Sequence, residues 1–70
     1  MKIDIVVSPI QGIVSTLFVT VGDNIAEGDV LCLIEAMKML TPIESNINGK
    51  MAKIYIEEKK PVSRGEKLWE

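Results

Sequence analysis

The chain has 70 residues, of which 47% are hydrophobic and 4% aromatic, and its net charge at neutral pH is -2. This length predicts a single domain over residues 1–70, and the hydrophobic fraction indicates a packed globule rather than a disordered chain. The acidic balance and the few aromatic rings argue against nucleic-acid binding, and no apolar run approaches the roughly 18 residues needed to span a bilayer. We therefore expect an ordered domain, monomeric in isolation, in the cytoplasm or an organelle matrix.

The side chains that usually perform catalysis are scarce. The sequence has no His and one Cys, so it offers no intramolecular disulfide, no plausible metal set and no usual general base. Cys32 lies in an apolar run, where we expect a small buried side chain rather than a reactive thiol. The chain is therefore expected to be non-catalytic by itself.

The first half of the chain predicts two strands. Residues 3–7 form the first strand, which ends where a proline follows, and Gly12 begins the second. Alternate residues of a strand point to the same face, so we expect Leu17, Val19 and Val21 to point inward.

The alternation of the second strand contains a break. Val14 is apolar but lies three residues before Leu17 instead of two, which predicts a β-bulge near Ser15-Thr16. Phe18 falls on the outward phase and is expected to be partly exposed.

The second half of the chain repeats the first at an offset of 37 positions, which aligns Gly12 with Gly49. Two copies of about 30 residues predict a pseudo-twofold pair of sheets rather than a solenoid. One turn breaks the repeat, because Lys59-Lys60 stand where the first half has Gly22-Asp23, and we expect this second turn to be built differently. Further aligned pairs are Val14 with Met51, Leu17 with Ile54, Phe18 with Tyr55, Ile25 with Val62, Gly28 with Gly65, and Leu31 with Leu68.

The centre of the chain joins the two repeats and predicts a hairpin. Val30 to Ala36 and Met39 to Glu44 are two strands that meet at Met37-Lys38. A two-residue hairpin loop usually carries Gly, Asn or Asp, because its backbone needs a positive φ that other side chains resist. This tip has none of the three and presents a lysine between two methionines instead. A broken local rule of this kind is typical of a functional site.

The segment Glu35-Ala36-Met37-Lys38-Met39 resembles the attachment motif of biotinyl domains, the biotin carboxyl carrier protein family of biotin/lipoyl attachment domains. Other parts of the chain also resemble this family's pattern. They are Ser8-Pro9-Ile10-Gln11-Gly12 upstream of the motif, and Gly22-Asp23, Gly28-Asp29, Gly49 and Gly65 elsewhere. Because no long window shows helical periodicity, the residues by themselves predict an all-β chain. The resemblance implies more: a flattened β-barrel, or barrel-sandwich hybrid, of two four-stranded antiparallel sheets with the modified lysine on an exposed hairpin.

The resemblance also implies a role for each residue of the tip. Lys38 would be the covalent attachment site of biotin, and Glu35, Ala36, Met37 and Met39 would be the surface that a biotin protein ligase recognises. A ligase is needed because a lysine amine is mostly protonated at neutral pH and is then a poor nucleophile. The implied role is that of a carrier between a biotin carboxylase and a carboxyltransferase or decarboxylase.

Two alternatives to a biotin carrier share the same fold. A lipoyl carrier domain typically has Asp-Lys-Ala at the tip, whereas this chain has Met37-Lys38-Met39. An unmodified interaction module would keep the fold without the attachment, and the intact lysine with both methionines argues against it.

Overall fold

The computed structural model describes residues 5–70, so the first two residues of the strand predicted at 3–7 lie outside the described range. Within the described part every strand pair is antiparallel and no helix is present, so none there is long and apolar enough to cross a membrane. The prediction of an all-β chain is confirmed. The strands are β1 (Val6–Val7), β2 (Gly12–Leu17), β3 (Asn24–Ile25), β4 (Val30–Ala36), β5 (Met39–Glu44), β6 (Gly49–Lys50), β7 (Pro61–Val62) and β8 (Lys67–Trp69).

The largest sheet has four strands in the order β5, β4, β2, β7. β1 pairs with β8 and β3 pairs with β6, each as a separate two-stranded ladder. The second sheet of the predicted flattened barrel is therefore divided into two ladders, and an isolated bridge between Ile54 and Trp69 adds to the pairing of β8. The pairing of β1 with β8 also brings the beginning and the end of the described chain side by side.

β2 contains the predicted β-bulge. Val14 pairs with Ile34 of β4, and Thr16 pairs with the next residue, Leu33, so the register shifts by one residue between these pairs. A bulge of this kind restores the inward phase of a strand after an extra residue. The break in the sequence pattern therefore located the bulge correctly.

Alternation continues two residues beyond the end of β2 and then fails. Leu17 and Val19 pack half-buried against the core, as predicted, and Phe18 is 55% exposed, which confirms its outward phase. Val21 is 61% exposed, so the prediction that it points inward is wrong. The regular strand ends at Leu17, and Val21 lies in a turn with Gly22, where side chains no longer alternate between two faces.

Reciprocal hydrogen bonds display the pseudo-twofold relation of the two repeats. Ser8 accepts from and donates to the Gly65-Glu66 turn through two backbone hydrogen bonds of 2.8 Å. Ser45, 37 positions later, makes the same two bonds of 2.8 Å with the Gly28-Asp29 turn. Each buried serine also donates its Oγ proton to the carbonyl oxygen two residues further on, at 2.6 and 2.7 Å. Each half is thus tied to a turn of the other half.

The turn at Lys59-Lys60 keeps the backbone of its counterpart, so the prediction that it is built differently is wrong. Lys59 has a φ of +70° and Gly22 a φ of +98°, both in the left-handed region. The Lys59 amide donates to the Val14 carbonyl at 2.7 Å, as the Gly22 amide donates to the Met51 carbonyl at 2.8 Å. These contacts with the other half of the molecule hold a lysine in a conformation that its local sequence disfavours.

The core lies inside these strands and draws on both repeats. Cys32 is completely buried in it, as the apolar run around this residue predicted. The other buried hydrophobic residues are Val14, Leu31, Ile34, Ile43, Met51, Ile56, Val62, Leu68 and Trp69.

Candidate functional site

The hairpin formed by β4 and β5 holds the predicted site residues at its tip. Its strands have the bounds that the sequence predicted, and their pairing runs without interruption from Cys32 opposite Ile43 to Ala36 opposite Met39. The last pair leaves only Met37-Lys38 to close the hairpin. β4 is also paired with β2 on its other side, so the base of the hairpin is fixed within the four-stranded sheet.

Both residues of the tip have left-handed backbone conformations. The φ angles of Met37 and Lys38 are +51° and +64°, the pattern of a type I′ turn, whose twist matches that of the flanking strands. For a residue with a Cβ atom this conformation costs on the order of 1 kcal/mol, so the tip is strained by roughly 2 kcal/mol. The continuous ladder below the tip supplies the constraint that holds both residues in place.

The tip exposes apolar side chains that a folded chain usually buries. Met37 is 94% exposed and Met39 is 69% exposed. Lys38 and Glu35 are also exposed, and Ala36 is half-buried at the last strand pair. The structure therefore places the five predicted site residues together, with the amine between two accessible thioethers. Since long thioether side chains adapt to irregular surfaces, this arrangement suits recognition by another protein.

Two residues beside Glu35 were not predicted as part of the site. Ile13 and Leu40 pair with Glu35 from β2 and β5, and cross-strand partners share one face of a sheet. Both are half-exposed, at 45% and 54%. The three side chains form an outward row with a carboxylate at its centre, one residue pair below the strand end. The row depends on the pairing register, which the sequence pattern did not give.

Gly12 precedes Ile13 in β2 and lies against the backbone of Glu35. A Cβ atom at Gly12 would be 2.4 Å from the carbonyl oxygen of Glu35 and 2.8 Å from Cγ2 of Ile34. Both distances are below any normal van der Waals contact, so only glycine lets β2 approach β4 this closely. The counterpart Gly49 has no such constraint, because its nearest neighbour would be 3.8 Å away. Gly12 is therefore a structural support of the hairpin.

Cys32 offers no chemistry to the tip. Its thiol is completely buried, and desolvation raises the pKa of Cys32 to about 11, because burial penalises the thiolate. Among residues 5–70 no group of three His, Cys, Asp or Glu side chains is placed to hold a metal ion. At the tip of the hairpin, the accessible amine is that of Lys38.

The amino-acid sequence matches the protein family described as "Biotin-requiring enzyme" over residues 3–70. It is 40% identical over 55 residues to the biotin carboxyl carrier protein of acetyl-CoA carboxylase from Pseudomonas aeruginosa, covering 79% of this chain and 35% of that protein. A protein of the same description from Chlamydia trachomatis is 32% identical over 73 residues, covering 94% of this chain and 44% of its own length. The chain thus spans less than half the length of these relatives.

Solved structures give the same similarity at the level of the fold. The urea carboxylase of Kluyveromyces lactis superposes with a TM-score of 0.85 and 27% identity, over 94% of this chain and 6% of that enzyme. A single-chain, multi-domain long-chain acyl-CoA carboxylase superposes with a TM-score of 0.88, also over 94% of this chain and 6% of that one, at 21% identity. In both cases the region of similarity is a small part of a much larger protein.

Proposed function

We propose that this chain, which belongs to the biotin/lipoyl attachment family, is a biotin carboxyl carrier domain that bears biotin covalently on Lys38. The observation that carries the proposal is the glycine-free tip, where two strained left-handed residues present an amine at the end of a continuously paired hairpin. The family match over residues 3–70 and the two carrier-protein relatives support it. A single domain over residues 1–70 is part of the same proposal.

The residues of the tip fit a covalently attached acyl group. The attachment requires a primary amine that another protein can reach, and Lys38 is exposed at a two-residue loop. Our proposal assigns Met37 and Met39 the apolar contacts with a biotin protein ligase, and gives Glu35 and Ala36 the flanking contacts. Ile13 and Leu40 extend this surface over the adjacent row. The ligase would supply the activated biotin and the groups that deprotonate the amine.

When attached, biotin supplies the ureido ring that accepts and releases a carboxyl group. The protein's part is to place that ring at the end of the Lys38 side chain and to keep the rest of the domain rigid. Tethering of this kind raises the local concentration of a carried group to the order of millimolar in a partner's active site. We propose that a biotin carboxylase and a carboxyltransferase or decarboxylase are the partners, and that the domain itself is non-catalytic and acts in the cytoplasm or an organelle matrix.

The proposal is tested by incubating the domain with biotin, ATP and a biotin protein ligase and measuring its intact mass. We expect one biotinyl group per chain. The matched control is Lys38→Arg, which keeps the charge at the tip and should gain no mass.

If the wild-type domain is folded by circular dichroism and gains no mass, the biotin proposal is wrong. The same assay with lipoate and a lipoate ligase then distinguishes a lipoyl carrier from an unmodified interaction module.

A further inference from the structure

A surface groove of about 370 Å³ lies between the end of β2, the turn before β3 and the start of β4. Its apolar lining includes Phe18, Ile25 and Val30, and Phe18 and Val30 are 55% and 40% exposed. Two carboxylates, those of Asp23 and Asp29, lie among these residues. The groove therefore combines an accessible aromatic ring with negative charge.

None of the described residues that line the groove is a Lys or Arg. Residues 5–37 contain four acidic side chains and no Lys or Arg. Asp23 and Asp29 each use Oδ2 to accept a backbone amide proton, from Thr20 at 3.0 Å and from Ala26 at 2.9 Å. These hydrogen bonds fix both carboxylates beside the groove. The charged side chains that line the groove are therefore both negative, and they favour a positively charged ligand.

The second repeat shows what occupies the equivalent position there. At the offset of 37, Tyr55 replaces Phe18 and Lys67 replaces Val30. The two places have the same backbone, because the Phe18 amide donates to Leu31 and the Tyr55 amide donates to the residue equivalent to Leu31, both at 2.9 Å. In the second repeat, Nζ of Lys67 lies 5.8 Å from the centroid of the Tyr55 ring, within the range of a cation–π interaction.

We propose that the groove at Phe18 is a docking site for a Lys or Arg side chain on a partner protein. The partner's cation would lie over the Phe18 ring, as Lys67 lies over Tyr55, with Asp23 and Asp29 beside it. Its neighbouring apolar residues would cover Val30 and Ile25. The partner would thus present one basic residue flanked by apolar ones.

The groove is well separated from the hairpin tip. Val30 and Ala36 are the two ends of β4, and seven residues of strand extend over roughly 20 Å. A partner bound at the groove would therefore leave Lys38 free to enter another site. This inference goes beyond the proposed function and does not depend on it, because the groove is complete in the unmodified chain.

The test is an NMR titration of the ¹⁵N-labelled, unmodified chain with the peptide N-acetyl-Leu-Arg-Leu-amide. The comparison peptide carries citrulline, which has nearly the shape of arginine without its charge. We expect chemical-shift changes confined to the groove, a dissociation constant on the order of millimolar, and at least threefold weaker binding of the citrulline peptide. Raising the salt concentration should weaken the binding of the arginine peptide more than that of the citrulline peptide.

Two variants make the test specific. Val30→Lys supplies the groove with its own amine, as Lys67 does in the second repeat, and should abolish peptide binding. Val7→Lys adds the same charge at an exposed position outside the groove and should retain it. Asp23→Asn with Asp29→Asn keeps the amide-accepting oxygens but removes the charge, and should weaken binding at least threefold. Equal binding of both peptides, retained binding by Val30→Lys, or shifts centred on the hairpin would each overturn the proposal.

Discussion

At the scale of single residues, the two methionines of the tip are held where they contribute almost nothing to the core. Met37 and Met39 are 94% and 69% exposed, so truncating them leaves no cavity in the fold. Partial burial of both against a ligase would contribute about 1 to 2 kcal/mol. We predict that Met37→Ala with Met39→Ala lowers kcat/KM for biotinylation roughly 5- to 30-fold, measured from the rate of mass gain.

The control for this prediction removes exposed apolar surface elsewhere. Val7 and Val21 are 48% and 61% exposed and lie outside the hairpin. Val7→Ala with Val21→Ala should leave the biotinylation rate within about twofold of the wild type, since surface substitutions rarely change stability by more than about 0.5 kcal/mol. A similar loss in both double variants would mean that the methionines have no specific contact with the ligase.

Cys32 gives a prediction about stability and pH. Burial raises the pKa of its thiol from 9.0 to about 11, so the unfolded chain loses this proton at a lower pH than the folded chain does. This difference in pKa therefore leaves the free energy of unfolding unchanged below pH 9. As the pH rises through 11, it lowers the free energy of unfolding by about 2 to 3 kcal/mol.

The measurement is a series of urea denaturations between these pH values, followed by the fluorescence of Trp69, the single tryptophan, which is 3% exposed. Cys32→Ala is the control, because it removes this titration and leaves the others in place. We expect the wild type to lose more stability than the variant as the pH rises. Parallel curves for the two proteins would contradict the assignment to Cys32.

At the scale of elements, the turn at Lys59 is strained where its counterpart is not. Lys59 and Gly22 both have left-handed backbones, but only glycine adopts this conformation without a steric cost. We predict that Lys59→Gly raises the free energy of unfolding by about 0.5 to 1 kcal/mol, the net of relieved strain and the larger entropy of an unfolded glycine. The change in the free energy of unfolding is measured from the shift in the midpoint of urea denaturation.

The neighbouring lysine provides the control for that turn. Lys60 is not among the positive-φ residues, so Lys60→Gly adds unfolded-state entropy without relieving strain and should destabilise the chain. Stabilisation by both substitutions would show that removal of a positive charge, rather than the backbone of Lys59, is responsible.

The same turn shows which elements the sequence can predict. The hairpin strands and the bulge after Val14 were predicted correctly, because alternation and β-branched residues are local properties of a strand. Lys59 and Val21 were predicted wrongly. The conformation of Lys59 is imposed by a hydrogen bond to Val14, far away in the sequence, and the exposure of Val21 depends on where the strand ends.

At the scale of the whole molecule, one backbone pattern carries two different surfaces. The repeats exchange equivalent hydrogen bonds, yet residues 5–37 have four acidic and no basic side chains, whereas six of the eight Lys and Arg residues follow residue 40. The position of Lys38 could be predicted because it joins the repeats. The row beside Glu35 could not, because it depends on the register of three strands.

The twofold is also broken where the hairpin meets the barrel, and this gives a matched pair of glycine substitutions. Gly12 and Gly49 are aligned by the repeat, and neither has a positive φ. A Cβ at Gly12 would lie 2.4 Å from the Glu35 carbonyl oxygen, a backbone atom that cannot rotate away, whereas at Gly49 the nearest atom would be the side-chain Cδ1 of Ile47 at 3.8 Å. Only the half that supports the tip requires a glycine for space.

We therefore predict that Gly12→Ala lowers the free energy of unfolding by about 2 to 3 kcal/mol, the usual cost of an overpacked contact, and that Gly49→Ala changes it by less than about 0.5 kcal/mol. Urea denaturation followed by Trp69 fluorescence compares the two. Because relief of the Gly12 clash must move β4 at Glu35, Gly12→Ala should also slow biotinylation under conditions where it remains folded. Equal destabilisation by both alanines would mean that the close approach of β2 to β4 does not set the position of the hairpin.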